Sequence, residues 1–367
     1  MASVTIKAVI ESLERMAPRA YQEDYDNSGL ITGNPEMVVT GILVTLDCTE
    51  AVLDEAVARS CNLIVAHHPI LFKGIKRLTG QTYVERFLIK AIQHNVAIYA
   101  IHTNLDNVID GVNKKIANAI GLKNLRILAP KKNTLLKLVT FTPREHVERV
   151  TEALYKAGAG QIGNYKNCSF QLLGEGTFLP TADAKPYQGT LGTLERTSEL
   201  RVEVILPAPL KKPILAALRS SHPYEEVAYY LSVLENENQE VGAGIVGELP
   251  AAEEPVSFLK RLKTVMKTEC VRHTKPIPGM INTVAVCGGS GSFLLPQAIA
   301  SGAQVYISAD FKYHEFFDAE GKIMVADIGH YESEQFTKDL LGEYLTEKFP
   351  TFAVAFSKVI TNPISYL

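Results

Sequence analysis

The sequence predicts an α/β protein whose mostly parallel sheet is interrupted by an inserted α+β domain. Segments typical of strands and helices alternate over residues 41–120, as they do in parallel sheets with helical crossovers. Near residue 130 the order changes to strand, helix, strand, strand, helix, strand, and the alternation resumes at residue 283. We therefore predict that residues 1–129 and 246–367 form one α/β fold and that residues 130–245 are inserted into it.

The composition is that of an ordinary globular protein with a large core. The chain has 367 residues, 46% of them hydrophobic, and its 37 basic and 40 acidic residues leave a formal charge of −3. A chain without excess positive charge has no general electrostatic attraction to nucleic acid or to an anionic membrane, so neither is an expected partner. The five cysteines are scattered singly and the N-terminus has no basic, then apolar, targeting pattern. These features predict a cytoplasmic protein.

The first α/β segment starts with an amphipathic helix that Ser3 caps and that ends before Pro18. A turn-rich loop follows at residues 25–30. Apolar, β-branched runs then predict three buried strands, with helices between and after them. The strands are residues 41–46, 62–66 and 96–101, and the helices are residues 49–59, 82–94 and 111–120.

The inserted segment has the split βαββαβ order of ferredoxin-like domains. Its connection over residues 177–197 is longer than an ordinary loop, so we interpret it as a functional flap or a mobile segment. The strands are predicted at residues 135–141, 169–174, 200–206 and 227–234, and the helices at residues 144–156 and 210–220.

The second α/β segment continues the alternation, and we interpret the two segments as similar halves of one fold. Its strands are expected to rejoin the first sheet, because an insertion leaves the interrupted fold to be completed afterwards. The strands are predicted at residues 283–287, 305–308, 323–326 and 352–356, and the helices before residue 300 and at residues 313–318 and 333–348.

His67 and His68 are adjacent at the end of a predicted buried strand. Pro69 disfavours an α conformation at His68, so the two rings are expected to be splayed and rigidly presented. In open α/β sheets, ligands bind at the carboxyl ends of the strands. Asp47 and residues 102–106 also follow predicted strands, which places all of these side chains along one edge.

His330 and Glu334 supply a further group at the same edge. They lie four residues apart at the start of a predicted helix, so they project from one face and can share a ligand. Three imidazoles and two carboxylates without a thiolate suit zinc, the first candidate, or iron, manganese, nickel or cobalt. Such a set fits two ions about 3.5–4 Å apart, bridged by Glu334 or Asp106. The five candidate ligands are His67, His68, Asp106, His330 and Glu334.

Three other features lie near predicted strand ends. His314 is interpreted as lining the cleft, where it would act as an acid, a base or a substrate contact. His102 is interpreted as a partner that orients Asp106. The glycine-rich run 288–292 favours a tight turn over a phosphate site, because it lacks the lysine of a P-loop and the spacing of the dinucleotide fingerprint.

These motifs resemble the signature blocks of the YqfO/YbgI-like (Nif-three-like) proteins, a family known as GTP cyclohydrolase 1 type 2 homologues. The matching segments are residues 26–30, 67–72, 102–106, 288–291 and 329–334, so the resemblance spans the chain. The inserted segment is similar to the PII/CutA-like domain of the longer members. The resemblance implies a toroidal homohexamer with sites facing an internal cavity, and two divalent metal ions per subunit held by His67, His68, Asp106, His330 and Glu334.

Two functions from different classes are open at this point. The first is a metal-dependent hydrolase that acts on GTP or a related nucleotide, with His314 as a proton donor. The alternative is a regulatory or metal-handling toroidal assembly without robust catalysis, whose PII-like insert senses a small ligand. A nucleic-acid ring is a third reading, which the charge of −3 disfavours. His67 and His68 are expected to bind different ions.

Overall fold

The computed structural model describes residues 3–367, and the chain divides into two compact units. The outer unit comprises the chain up to Pro130 together with Gln239–Leu367, and the inserted unit comprises Lys131–Asn238. Each unit has a hydrophobic core of its own. None of the helices in the described part of the chain combines the length and apolar character needed to cross a membrane.

Strands and helices are numbered in chain order. The strands are β1 (Gly29–Thr32), β2 (Ile42–Thr45), β3 (Leu63–Ala66), β4 (Ala97–Ala100), β5 (Lys123–Pro130), β6 (Leu135–Pro143), β7 (Phe170–Phe178), β8 (Glu195–Pro207), β9 (Tyr229–Leu234), β10 (Gly242–Glu253), β11 (Arg272–His273), β12 (Ile281–Ser290), β13 (Val305–Ala309), β14 (Met324–Asp327) and β15 (Val354–Phe356). The α-helices are α1 (Ile6–Met16), α2 (Glu50–Ala58), α3 (Tyr83–Gln93), α4 (Thr103–Asp106), α5 (Val112–Ile120), α6 (Val147–Lys156), α7 (Lys211–Ser221), α8 (Pro255–Val265), α9 (Leu295–Ala300), α10 (His330–Glu334) and α11 (Thr337–Lys348).

Threonine side chains start three of the helices in the first part of the chain. The hydroxyls of Thr5, Thr49 and Thr82 accept hydrogen bonds from backbone amides in the first turns of α1, α2 and α3. Each bond satisfies an amide that has no partner within the helix. The predicted cap at Ser3 is therefore wrong: α1 begins two residues later, because Thr5 is the residue whose hydroxyl reaches Ala8 N.

The first sheet of the outer unit has the strand order β1-β4-β3-β2-β15. Strands β4, β3, β2 and β15 are parallel, and β1 pairs antiparallel with β4 at the edge. The last strand of the chain thus completes the sheet that the first strands began. This is the part of the second segment that rejoins the first sheet as predicted.

The remaining strands of the outer unit form a second sheet with the order β11-β14-β13-β12-β10-β5. Only β12, β13 and β14 run parallel, while β10, β5 and β11 are antiparallel to their neighbours. Both sheets are therefore mixed, which corrects the expectation of one mostly parallel sheet. Strands β5 and β10, on either side of the insertion, pair with Pro130 opposite Gly242, so residues 239–245 belong with the outer unit.

A shared hydrophobic core joins the two sheets of the outer unit. It contains side chains from α1, α5, α8 and α11 and from one face of each sheet. On β3, Leu63 and Val65 belong to this core, whereas Ile64 and Ala66 belong to a second cluster with α2 and α3. Successive residues of a strand point to opposite faces. A strand that is covered on both faces therefore has a continuous apolar run in its sequence.

The inserted unit is a four-stranded antiparallel sheet with the order β7-β8-β6-β9. Helices α6 and α7 pack on one face of it through Val150, Leu154, Ile214 and Leu218. Strand β8 lies between β7 and β6: residues 195–203 pair with β7, and residues 199–207 pair with β6.

Replacing the buried Ile307 in the shared core tests this packing. Ile307→Ala should lower the free energy of unfolding of the outer unit by about 2–5 kcal/mol, because it leaves a cavity where the side chain was 1% exposed. Ile360→Ala is the control, since that side chain is 78% exposed and its removal should cost about 0.5 kcal/mol or less. Urea denaturation of both variants measures the difference, and equal stabilities would contradict the packing described.

Candidate metal centre

His67 and His68 directly follow β3 and continue its pairing with the chain after β2. The His67 amide donates to Thr45 O at 3.2 Å and the His68 amide donates to Leu46 O at 2.9 Å. The two rings are 4.8 Å apart between centroids and tilted by 47°, so they are splayed. The His67 side chain is fully buried, whereas His68 keeps a small exposed fraction.

His330 and Glu334 lie on α10, a single turn that is separated from β14 by two residues. Gly329 makes the connection with a φ of +91°, and a side chain at this position would collide with the carboxylate of Glu332. The spacing of four residues brings His330 Nε2 to 3.2 Å from Glu334 Oε2. The sequence prediction that these two side chains share one face of a helix is consistent with this geometry.

The carboxylate of Glu334 lies among three imidazoles that come from both sheets. Its Oε2 is 2.9 Å from His68 Nε2, and its Oε1 is 3.8 Å from His67 Nε2. Asp106, at the end of α4, places Oδ1 3.6 Å from His67 Nε2. The structure therefore brings all five predicted ligands together. Two groups could each hold a metal ion: His68 with His330 and Glu334, and His67 with Asp106 and Glu334.

Glu334 is common to both groups, so it has the position expected of a bridging carboxylate. The five side chains nevertheless come from two different sheets, because His67, His68 and Asp106 follow β3 and β4, and His330 and Glu334 follow β14. The prediction of a single sheet edge is wrong in this respect. The cluster lies where the carboxyl ends of two sheets of the outer unit face each other.

Each imidazole of the cluster is held through Nδ1 by an oxygen that can only accept. His68 Nδ1 donates to Asp47 Oδ1 at 2.7 Å, and His67 Nδ1 donates to the carbonyl oxygen of Ile101 at 2.9 Å. His330 Nδ1 in turn donates to Asp310 Oδ2 at 2.7 Å. An Nδ1 that carries the proton leaves Nε2 as the ligating nitrogen, which is the arrangement found in histidine metal sites.

Three buried polar atoms at the centre of the cluster have the chemistry of metal ligands. Within residues 3–367, His67 Nε2, Asp106 Oδ1 and Glu334 Oε2 are shielded from water and have no hydrogen-bond partner. A buried polar atom without a partner costs about 1–3 kcal/mol, so such atoms are rare unless they have a function. All three are atoms that coordinate divalent metals, and the residues present therefore fit a metal centre.

The charges of the cluster perturb one another strongly. Burial alone would raise the pKa of Glu334, but the imidazoles of His330, His67 and His68 hold it well below its usual range. Burial and the neighbouring Glu334 charge raise the pKa of Asp106 instead. Burial lowers the pKa of His67. These shifts favour the charged form of Glu334 and the neutral forms of Asp106 and His67.

The pKa values of the two less buried imidazoles shift in the opposite direction. Burial opposes the charged form of His68, but its bonds to Asp47 and Glu334 outweigh burial and raise its pKa to about 10. The same balance, with Asp310 and Glu334 as partners, raises the pKa of His330 to about 11. Protons on these two rings thus supply the positive charge that the carboxylates require.

His102 differs from its predicted role. Its Nδ1 donates to Asp26 Oδ1 at 2.8 Å rather than to Asp106, and its ring centroid lies 5.3 Å from those of both His67 and His68. A third group that could hold a metal consists of His67, His68 and His102. The loop before β1 therefore supports the cluster, a role that local sequence spacing could not show because Asp26 is 76 residues away.

His314, the predicted acid or base, lies away from the cluster. It is exposed on the 3₁₀ helix Tyr313–Ala319, where its ring contacts those of Tyr313 and Phe317. It is not among the described residues that line the cavity at the metal centre. The predicted catalytic role of His314 therefore has no support in the geometry.

The glycine-rich run 288–292 serves the cluster by making room for it. Its first residues are part of β12, and a side chain at Gly289, whose φ is +63°, would collide with Glu334 Oε1. The amide of Gly288 donates to Asn113 Oδ1 and that of Gly289 donates to Ser333 Oγ, both at 2.9 Å. These amides are occupied, so neither serves a phosphate, and the run is a strand end rather than the predicted turn.

A cavity of about 560 Å³ opens onto the cluster. His68, His102, Asp106, His330 and Glu334 form its floor. The C-terminal segment Thr361–Ile364 forms part of the wall, and the Thr361 hydroxyl donates to Asp47, the residue that holds His68. Aromatic side chains also line it: Tyr25, Phe72, Tyr83, Phe293 and Tyr331.

A family model described as Duf34/NIF3 (NGG1p interacting factor 3) matches residues 4–363. The chain belongs to the Duf34/NIF3 family. A relative from Halalkalibacterium halodurans named GTP cyclohydrolase 1 type 2 homolog is 38% identical, over 98% of this chain and 98% of its own length. A relative of the same name from Bacillus subtilis is 36% identical, over 100% and 99%. The family predicted from the motifs is thus confirmed.

Solved structures of Duf34/NIF3 relatives extend the match to the fold. The chain is similar to a Bacillus cereus protein related to NIF3, with 34% identity, a TM-score of 0.88 and coverage of 100% of both chains. A Staphylococcus aureus protein is 28% identical, with a TM-score of 0.78 and the same coverage. The α/β architecture of this Duf34/NIF3 chain is therefore shared by relatives along its whole length.

Replacing Glu334 tests whether one carboxylate serves both metal groups of the Duf34/NIF3 centre. Glu334→Gln keeps the shape of the side chain but removes its charge, so zinc retained after loading and desalting should fall by at least half. Elemental analysis gives the metal per chain. Glu343→Gln, which changes an exposed carboxylate paired with Lys115, should keep the wild-type content. Equal metal in all three proteins would contradict the shared carboxylate.

Metal binding should release protons, since a ligating imidazole must be neutral at Nε2. With pKa values of about 10 and about 11, His68 and His330 are protonated at neutral pH, and a metal ion must displace those protons. Zinc affinity should therefore rise between about pH 6 and about pH 8. Titration calorimetry in buffers of different ionisation enthalpy counts the protons.

Asp310→Asn provides the matched variant for this measurement. The loss of the carboxylate beside His330 Nδ1 should lower the pKa of His330, so zinc binding should release fewer protons than in the wild-type protein. The same proton release in both proteins, or an affinity that does not change with pH, would show that these imidazoles are not the ligands.

Proposed function

We propose that this Duf34/NIF3 protein holds two divalent metal ions, with zinc as the first candidate, and hydrolyses GTP or a related nucleotide. The observation that carries the proposal is the position of Glu334, whose two oxygens face His67 on one side and His68 with His330 on the other. The name of the relatives, GTP cyclohydrolase 1 type 2 homolog, supports a guanine nucleotide as the substrate.

Divalent ions in this cluster would supply Lewis acidity, which polarises the group under attack and lowers the pKa of water. Asp47, Asp310 and the carbonyl of Ile101 hold the imidazoles in place. Because these partners lie within two residues of the ends of β2, β13 and β4, the ligand set is organised before any substrate arrives.

The cavity above the cluster has the size and lining that a nucleotide requires. Its volume of about 560 Å³ lies within the range of about 300–1,000 Å³ that is usual for small-molecule sites. Tyr25, Tyr83 and Phe293 line it with rings that are each more than half exposed. Exposed rings at a cavity mouth offer flat surfaces on which a purine base can stack.

Opening a guanine ring requires a proton for the departing nitrogen, and His102 is the lining residue best placed to give it. Its Nδ1 is bound to Asp26, so Nε2 is the nitrogen that faces the cavity. Burial would raise the pKa of Asp26, but the bond and charge of His102 and the bonds from Thr103 and Ser28 lower it. The Asp26 carboxylate fixes the orientation of the His102 ring, so Nε2 is held where a general acid is needed.

The test is the turnover of GTP by metal-loaded protein. The wild-type protein should consume GTP and His68→Ala should not, because that variant lacks a ligand. His102→Gln should keep its metal and lose activity by at least about 100-fold, the usual size of a general-acid effect. His314→Ala should behave like the wild-type protein.

Three results would change the proposal. Absence of turnover in the metal-loaded wild-type protein would favour the alternative of a metal-handling assembly without catalysis. Equal turnover by His68→Ala would place the chemistry elsewhere. Loss of metal from His102→Gln to the level of His68→Ala would make His102 a ligand rather than an acid, as the group His67, His68 and His102 allows.

We further propose that the inserted unit has the ferredoxin-like arrangement of PII/CutA-like domains. The element order β6, α6, β7, β8, α7, β9 and the sheet order β7-β8-β6-β9 support this assignment. Both helices pack on one face of the antiparallel sheet, as that arrangement requires. A crystal structure of the full chain with another strand order in residues 131–238 would contradict it.

A further inference from the structure

A second cavity of about 560 Å³ lies wholly within the inserted unit. Phe141, Leu172 and Arg201 stand side by side in the strand pairing and line it, while the next residue of β8, Val202, belongs to the core under α6 and α7. Since alternate residues of a strand point to opposite faces, the cavity is on the face of the sheet that these helices leave open. The long connection between β7 and β8 covers it through Pro186, Tyr187 and Gln188.

Glu199 is a buried carboxylate in the wall of this cavity. It is 8% exposed, and its Oε1 accepts a hydrogen bond of 2.8 Å from the Tyr224 hydroxyl. Within residues 3–367, its Oε2 has no hydrogen-bond partner, and no basic side chain forms an ion pair with it. Because Glu199 Oε2 is not among the described unpaired atoms that are fully shielded from water, it is reached from the cavity and can accept one more donor.

The remaining charges and rings of the cavity favour a cation. Four carboxylates line it, those of Glu175, Glu199, Glu225 and Glu226, against one guanidinium, that of Arg201. Outside the lining, Arg201 is paired with Glu203 and Glu175 is paired with Arg196, so within residues 3–367 three lining carboxylates have no ion pair. Five aromatic rings also line it: Phe141, Phe178, Tyr187, Tyr224 and Tyr230. Aromatic faces next to carboxylates form the usual recognition site for an organic ammonium group.

We propose that this cavity binds a small organic cation, with its ammonium or amidinium group at Glu199 and its apolar or aromatic body against the rings. A bare metal ion fits less well, because the described residues of the inserted unit contain no group of three His, Cys, Asp or Glu ligand atoms as close as those of the outer unit. The site is independent of the proposed hydrolase function.

The test is calorimetry of the full-length protein with three probes that share a ring and differ in charge: benzylamine, benzyl alcohol and benzoate. Benzylamine should bind saturably at one site per chain, at least about tenfold tighter than either other probe. Glu199→Gln, which can still accept the bond from Tyr224, should weaken benzylamine binding by at least about tenfold. Glu152→Gln on the exposed side of α6 should leave it unchanged.

Two further variants keep the result interpretable. Tyr230→Ala removes a ring that is 62% exposed, so it should fold normally and still bind benzylamine several-fold more weakly. His68→Ala should bind benzylamine like the wild-type protein, which separates this cavity from the metal centre. Any one of four results would overturn the proposal. The first two are no binding of benzylamine to the wild-type protein and equal binding of all three probes. The other two are loss of benzylamine binding in His68→Ala and unchanged benzylamine binding in Glu199→Gln.

Discussion

The burial of a carboxylate among imidazoles is the constraint on which the outer unit depends. Glu334 is 3% exposed and touches side chains from both sheets, and a buried charge is tolerated only when opposite charge compensates for it. The residues around Glu334 provide both the space and the opposite charge that this carboxylate needs. Gly289 leaves the space that the carboxylate occupies, and carboxylates behind the rings of His68 and His330 stabilise positive charge on them. Protons and divalent ions are alternative sources of that charge.

The topology explains why distant parts of the chain are needed for one site. The first sheet contributes His67 and His68 after β3, and the second sheet contributes His330 and Glu334 after β14. The insertion occurs between β5 and β10, which pair with each other, so the outer unit closes around its shared core without the inserted residues. Strand β15 then returns to the first sheet, and the segment that follows it reaches Asp47 through Thr361.

The sequence predicted which side chains cluster better than it predicted the sheets that carry them. The pair of histidines before Pro69 and the spacing of His330 and Glu334 are local patterns. Residues that are near in sequence remain near in the folded chain, so such patterns are reliable. Apolar runs identify strands but not the sheet to which each strand belongs, so the two sheets were expected as one. The strands β5 and β10 were not predicted, since charged residues and glycines interrupt their apolar pattern. His102 and its partner Asp26 depend on a contact across 76 residues, which no spacing rule contains.

The central claim is that Glu334 joins two metal groups, and anomalous X-ray diffraction from crystals of the zinc-loaded protein tests it most directly. Two anomalous peaks about 3.5–4 Å apart are expected, one next to His68 and His330 and the other next to His67 and Asp106, with Glu334 between them. A single peak at the cluster, or a pair in which His67 and His68 bind the same ion, would contradict the account.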